Sequence, residues 1–385
     1  MNKMTKRALS AVLCGAVVLT ACSCGANTTT ALTIDGTEIP AGVYISYQMD
    51  ALSEAQSALS EEQPDLDMSA EDFDFKKQTI GGIAAEEWVK NKTIELCRNF
   101  VATNKMFDEY GLALEDYQKD EIDAYVESTW NDENMYAQYI YGVDVIGEYY
   151  ESLGVGEKSF KAIQEIFYKQ EALFNHIYGE GGELEVSADE INAKVLSDYA
   201  LVLSFEVDPT YGKAQDYVDM LNGGTAFTEV KQSYDQAVAV AEAEEAMKEA
   251  EEAGEEYDGT LPEDVVVAAS EQADLETVVN INETSPSESY VADVFAMTTG
   301  ENKLITVSEE TTASDGTTTT AVSYYVVQKL DISANETVMS EYKETVRYDM
   351  KSGELEETIK SKGAAYAVTE NAAAINRYTI DKLEK

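Results

Sequence analysis

The sequence predicts an α+β protein: a discontinuous helical domain interrupted by an inserted αβ module. Three observations carry this reading. Helical spacing dominates the chain from about residue 75 to 197; short β-branched runs cluster between 198 and 331; helical spacing returns from Val338. Helix, then αβ, then helix again is most simply satisfied if the two helical parts form one domain and the module sits between them in sequence. The expected boundaries are 31–197 for the first helical part, 198–335 for the module and 336–385 for the second helical part.

A chain of 385 residues is long enough to bury two cores. Its 44% hydrophobic content and 24 tyrosines exclude wholesale disorder. The outlying property is charge, with 27 basic residues against 74 acidic ones and a net charge of −47. Such a surface repels nucleic acid and anionic lipid headgroups, so no nucleic-acid partner is expected.

The first 21 residues do not read as part of the fold. Met1–Arg7 is positively charged, and Ala8–Ala21 is an apolar run of signal-peptide length, too short to span a bilayer comfortably. The run ends in Leu19-Thr20-Ala21-Cys22, similar to a bacterial lipobox, which makes Cys22 the expected site of lipid attachment, palmitate included. One acyl chain anchors marginally and two anchor durably. Residues 22–30 then read as a lipidated tether, and the protein as extracytoplasmic and lipid-anchored to the bacterial cell membrane. Cys14 leaves with the signal, Cys24 lies in the tether and Cys97 in an apolar helical stretch, so no structural disulfide is expected.

Ala31–Ile34 reads as a strand, Asp35-Gly36 as a turn, and Pro40 as the first turn of a helix. Ile80, Ala84 and Trp88 recur at every fourth position, as do Cys97 and Val101, and predict helix from about Phe75. Asp120–Trp130, Met135–Leu153 and Lys158–Tyr178 continue the helical series, with Gly154 and Gly156 separating the last two. Ser187-Ala-Asp-Glu190 has capping-box spacing and restarts a helix after Gly179–Gly182.

The apolar run Tyr199–Val207, closed by Asp208-Pro209, opens the module as a strand. Tyr211–Leu221 and Ala226–Tyr234 follow as helices, broken by Asn222-Gly223-Gly224. The acidic insertion 235–260 is rich in Ala and Glu with few large apolar residues, and reads as a solvated, partly mobile helix, with a mobile insertion as the alternative. Val265–Ala269, Glu276–Asn282, Asn302–Ser308 and Val322–Leu330 read as strands, the last two flanking a Thr-rich hairpin tip. Val338, Tyr342, Val346 and Met350 then resume helical spacing.

This order resembles the extracytoplasmic foldases of the PrsA/SurA type, in which a helical chaperone domain in two pieces surrounds a parvulin-type peptidyl-prolyl isomerase module. Thr33–Ile39 is similar to the family's opening turn. Leu221–Tyr234 is similar to its loop-helix, Val294–Asn302 to its Phe-containing segment ending in Gly-Glu, and Ser323–Asp331 to its closing strand. The resemblance implies a chaperone that binds unfolded or newly secreted polypeptides, without a cofactor or metal. It places degenerate proline-pocket positions at Val202, Tyr290, Phe295 and Tyr325, and two of these, Val202 and Tyr325, fall where the family carries histidines. The Gly-Gly-Asp-Leu-Gly turn of the family has no clear counterpart. No catalytic residue is assigned, and the module is expected to serve binding or homodimerisation.

The chain has a single histidine, His176, at the end of a helical run outside the module. A Ser-His-Asp triad or a His-bearing zinc site would have to use it, so both classes fall away. Prolyl isomerisation needs no nucleophile, since an apolar pocket that desolvates and twists the imide can lower a barrier of about 20 kcal/mol. An active isomerase therefore stays open as an alternative. So does a solute-binding lipoprotein of a transporter, which shares the anchor but normally shows repeated βα alternation. Tyr44, Tyr47, Tyr141, Tyr149 and Tyr150 are candidates for a client groove, with ordinary packing as the competing account.

Overall fold

The computed structural model describes residues 29–70, 73–312, 318–380 and 383; the signal segment 1–21 and the lipidation position Cys22 lie outside the described residues. The fold is α+β and divides into two compact units, Met1–Glu185 with Lys351–Lys385, and Val186–Met350.

The first unit begins with strands β1 (Thr30–Ile34) and β2 (Thr37–Pro40) and helix α1 (Ala41–Glu62). A short hairpin of β3 (Thr79–Ile80) and β4 (Ile83–Ala84) follows, then helices α2 (Ala85–Glu109), α3 (Asp116–Asn131), α4 (Met135–Tyr141), α5 (Ile146–Leu153) and α6 (Glu157–Tyr178). The second unit contains α7 (Ala188–Asp198), β5 (Tyr199–Val207), α8 (Ala214–Asn222), α9 (Phe227–Ala253), β6 (Glu276–Asn280), α10 (Glu288–Ala296), β7 (Asn302–Thr312) and β8 (Thr318–Lys329). Helix α11 (Glu336–Ala364) carries the chain from the second unit into the closing β9 (Val368–Glu370) and α12 (Ala372–Ile375) of the first.

In the first unit Asp35 and Gly36 both adopt positive φ, at 47° and 81°, which lets the two-residue turn join β1 to β2 with matching twist. β9 pairs antiparallel with the other side of β1, giving the sheet order β2-β1-β9. The fully buried Leu32, Ile34 and Ile39 of this sheet join Tyr44, Cys97 and Val101 in one core cluster. A second cluster joins Met106, Leu173 and Phe174 to Leu355 and Ile359 of α11. Each such aliphatic burial contributes about 1.5–3 kcal/mol.

Two expectations in this unit are corrected. Ile80 and Ala84 do not belong to a helix: Gly81 and Gly82, both at positive φ, fold them into the β3–β4 hairpin, and α2 starts only at Ala85. Met135–Leu153 is two helices, because Gly142 takes a left-handed conformation and its amide and that of Val143 return to Gln138 and Ala137 carbonyls.

The second unit is built on an antiparallel sheet of order β6-β5-β8-β7. Ser187 caps α7 reciprocally with Glu190, each side chain accepting the other's main-chain amide. Alternation along β5 sends Leu203, Phe205 and Val207 to one face, where they pack with Tyr217, Leu221 and Phe227 of α8 and α9. Ala200 and Val202 point to the opposite face, against Tyr290, Val291 and Val294 of α10.

α9 runs unbroken from Phe227 through the acidic segment to Ala253, burying only Phe227 and Val230. The expected strand Val265–Ala269 is not in the sheet. It is extended, with Val266 88% exposed, and hydrogen-bonds to α9 side chains instead.

Candidate functional site

On the α10 face of the second unit's sheet the structure gathers the four sequence-predicted pocket positions into one apolar cluster. Val202 is 0% and Tyr290 4% exposed, while Phe295 and Tyr325 are half-buried at the edge of the cluster. Ser287 fixes the start of α10 by accepting the Tyr290 amide at 3.1 Å, which sets the Tyr290 ring over the sheet. That ring meets Tyr325 edge-on, with centroids 5.1 Å apart and planes at 68°. At the other end of α10, Lys329 Nζ donates to the carbonyls of Val294 and Phe295 at 3.0 and 3.4 Å and lies 5.7 Å from the Phe295 ring centroid. Burial pulls the Lys329 ammonium below its usual value, with Glu301 opposing.

Register decides which of these residues are neighbours. Val202 pairs with Lys329, whereas Tyr325 pairs with Glu206, so Val202 and Tyr325 share a face but sit about 13 Å apart along the strand. The groups beside Tyr325 and Tyr290 are Ser204 and Glu206, which the sequence reading passed over. Ser204 lies near the Tyr290 phenol, and Glu206 and Ser323 near the Tyr325 phenol. Burial raises both phenols above the ordinary tyrosine range, so both are neutral donors at neutral pH. The signal was present in the sequence as Ser204 and Glu206 alternating into an otherwise apolar strand.

This cluster offers hydroxyls, one carboxylate and a filled apolar interior. The second unit contains no histidine of its own; the chain's one histidine belongs to the first. His176 occupies the last turn of α6, its ring 4.8 Å from that of Tyr110. Among the described residues no three His, Cys, Asp or Glu side chains are grouped so as to hold a metal ion.

The first unit carries a second candidate surface, on α3, α4 and α5. α4 is seven residues long and buries only Ala137. Its remaining large side chains face solvent: Met135 is 87% and Tyr139 88% exposed, and Tyr136, Ile140 and Tyr141 are exposed too. Asn134 caps the helix through its Oδ1, which accepts the Ala137 amide at 3.0 Å, and Gln138 Nε2 donates to Asp144 Oδ1 at 2.9 Å to close the following turn. From Tyr141 a ladder of rings runs inward. Tyr141 stacks on Tyr149 at 3.9 Å and 14°, Tyr149 touches Tyr150, and Tyr150 lies parallel to Trp130 at 6.2 Å. Trp130 Nε1 donates to Glu151 Oε1 at 3.1 Å.

Tyr141 and Tyr149 also line a cavity of about 670 Å³, together with Met49, Leu52, Phe73 and Phe75. Of the five tyrosines proposed for a groove, these two lie on it, and Tyr150 continues the ladder behind them. Tyr44 and Tyr47 are buried core residues, Tyr47 packing edge-on against Phe100, because they fall on the inner face of α1. The cavity also presents polar groups, Ser53, Gln56, Asp74 and Lys76, so an open, mixed cavity beside an exposed aromatic helix can seat amphipathic side chains of another chain.

No protein-family model and no curated protein matches this chain. Among the described residues no helix is long and apolar enough to cross a membrane.

Proposed function

We propose that this protein is an extracytoplasmic chaperone, anchored by lipid on Cys22, that holds unfolded, newly secreted chains. The observation that carries the reading is the surface of α4, where five large apolar or aromatic side chains face water beside an open cavity. Soluble proteins rarely leave such side chains contiguous and uncovered unless the patch binds something. In this reading the second unit is a parvulin-like module that has lost catalysis. An antiparallel four-stranded sheet with helices on both faces supports the resemblance, and the absence of any histidine in the module supports the loss. Val202, Tyr290, Phe295 and Tyr325 then form a filled remnant of a proline pocket, used for binding or dimerisation.

A paired assay on a soluble form, residues 25–385, tests the reading. It follows aggregation of an unrelated unfolded protein, and isomerisation of a short proline peptide, under the same conditions. Suppressed aggregation without isomerisation is the expected result. Absence of any effect on aggregation overturns the chaperone reading, and proline turnover makes the module an enzyme. Anchoring is tested separately: the full chain partitions into membranes, and Cys22→Ser releases it.

A further inference from the structure

The exposed aromatic surface of α3–α5 has an unusual charge environment. From Asp120 to Glu157 the chain carries ten carboxylates and no lysine or arginine. Asp132, Glu133, Asp144 and Glu148 flank α4 and are exposed, and among the described residues none of the four is ion-paired. Among the described residues the ion pairs at its margins are those of Lys161 of α6 with Asp123 and of Lys76 at the cavity with Glu86, the latter at 3.8 Å. The surface therefore combines open tyrosine faces, thioether and aliphatic groups, and uncompensated negative charge.

Each of these features selects the same ligand chemistry. An arginine or lysine placed over the exposed Tyr136 or Tyr139 ring gains a cation–π contact. Its aliphatic stem can lie along Met135 and Ile140 while its head meets Asp132, Glu133 or Glu148, a carboxylate geometry that favours arginine. A neighbouring apolar side chain then finds the cavity beyond Tyr141. The same surface of a second copy is a poor occupant, because two patches that each carry carboxylates and no lysine or arginine repel each other.

We infer that the α3–α5 surface captures cationic segments of unfolded polypeptides, in which arginine or lysine alternates with large apolar residues. This rests on the chaperone reading and gives it a client class. Association is steered by charge, and the aromatic surface holds the segment once it arrives.

The test uses the soluble form, residues 25–385, and three fluorescent peptides of equal length and identical apolar residues, carrying Arg, Gln or Glu at the remaining positions. The Arg peptide is expected to bind about tenfold tighter than the Gln peptide, and the Glu peptide weakest. Raising NaCl from about 50 to about 300 mM should weaken the Arg peptide about fivefold and leave the Gln peptide nearly unchanged. The triple variant Asp132→Asn, Glu133→Gln, Glu148→Gln should bring Arg binding down to the Gln level, and Tyr139→Ala should weaken both. All four positions are exposed, and unchanged circular dichroism verifies folding. Equal binding of the Arg and Gln peptides overturns the cationic preference and leaves the chaperone reading standing. Binding of the Arg peptide that neither variant alters overturns the assignment of the surface. Patch-dependent self-association in light scattering would make a second copy the occupant and likewise overturn the inference. Loss of the chaperone reading itself has a different signature, in which no peptide binds and aggregation is not suppressed.

Discussion

Gln236 and Val267 are paired as though they were neighbours in a β-ladder. Gln236 Oε1 accepts the Val267 amide at 3.0 Å while its Nε2 donates to the Val265 carbonyl at 2.7 Å. One turn earlier, Gln232 Nε2 donates to the Val267 carbonyl at 2.8 Å. Two glutamines on α9 thus satisfy main-chain groups of an extended segment that no strand covers, which explains how an apolar Val-Val-Val run stays outside the sheet. Replacing Gln236 by Ala removes both contacts that bracket Val266. Each is worth about 1 kcal/mol, so the Val267 amide should exchange with deuterium at least about fivefold faster while core amides of β5 keep their protection. Unchanged exchange at Val267 would mean the segment is held by something else.

Gly147 marks the closest approach of α5 to α3. A Cβ at this position would lie 2.8 Å from the indole of Trp130, the ring that ends the ladder from Tyr141. Gly147→Ala must push Trp130 outward or separate the helices, an overpacking cost of about 1–3 kcal/mol. Denaturant unfolding should register the loss, and the emission of Trp130 should shift to the red as the indole leaves Tyr150 and Phe160. The matching substitution at Gly111, where a Cβ meets nothing within 4 Å but φ is +68°, should leave Trp130 emission untouched.

Helices whose apolar spacing is unbroken were readable in the sequence: Lys158–Tyr178 and the segment from Val338 appear as α6 and α11 with small changes at their ends. The restart at Ser187 was readable because a capping box is a local device, complete within four residues. β9 was not, since Val368–Glu370 is too short to show alternation and its partner β1 lies at the other end of the chain. Ile80 and Ala84 misled because a spacing of four is also produced by a two-residue turn when both turn residues are glycine. Val202, Tyr290, Phe295 and Tyr325 share one cluster, yet the pairing of Glu206 with Tyr325 depends on strand register, which is set by tertiary packing. The exposed face of α4 was equally hidden: Met135–Tyr141 has the composition of a core helix, and only its length of one to two turns leaves it uncovered.

Cys97 reports on the opening of the first unit. The thiol is fully buried, and that burial pushes its pKa far above the ordinary value, so the thiolate that reacts with maleimides or disulfide reagents is absent from the folded protein. In the soluble form, residues 25–385, Cys97 is the sole cysteine. It should resist labelling in native buffer and react stoichiometrically in denaturant, and its labelling midpoint should coincide with loss of the first unit's helical signal. Rapid labelling of the native protein would contradict the burial.

Alkaline pH should unfold the first unit through its buried phenols. Tyr44 and Tyr47 have pKa values raised mainly by burial, with the Cys97 thiol as the next contribution to both. A folded-state value above the unfolded one, about 10 for tyrosine, means the folded protein retains protons that the unfolded chain releases. The stability these groups provide is therefore complete below about pH 10 and falls as pH rises toward the folded value, by up to about 1.4 kcal/mol per pH unit for each tyrosine. Cys97 adds a loss of the same sign that begins nearer its unfolded value of about 8.5. Urea titrations at pH 8, 10 and 11 should show a fall that begins before pH 10, from Cys97, and steepens above it as the phenols join, accompanied by tyrosinate absorbance only as the protein unfolds. The double variant Tyr44→Phe, Tyr47→Phe should flatten the fall above pH 10 by the share of two groups, and a slope identical to that of the parent would show that these phenols do not govern it.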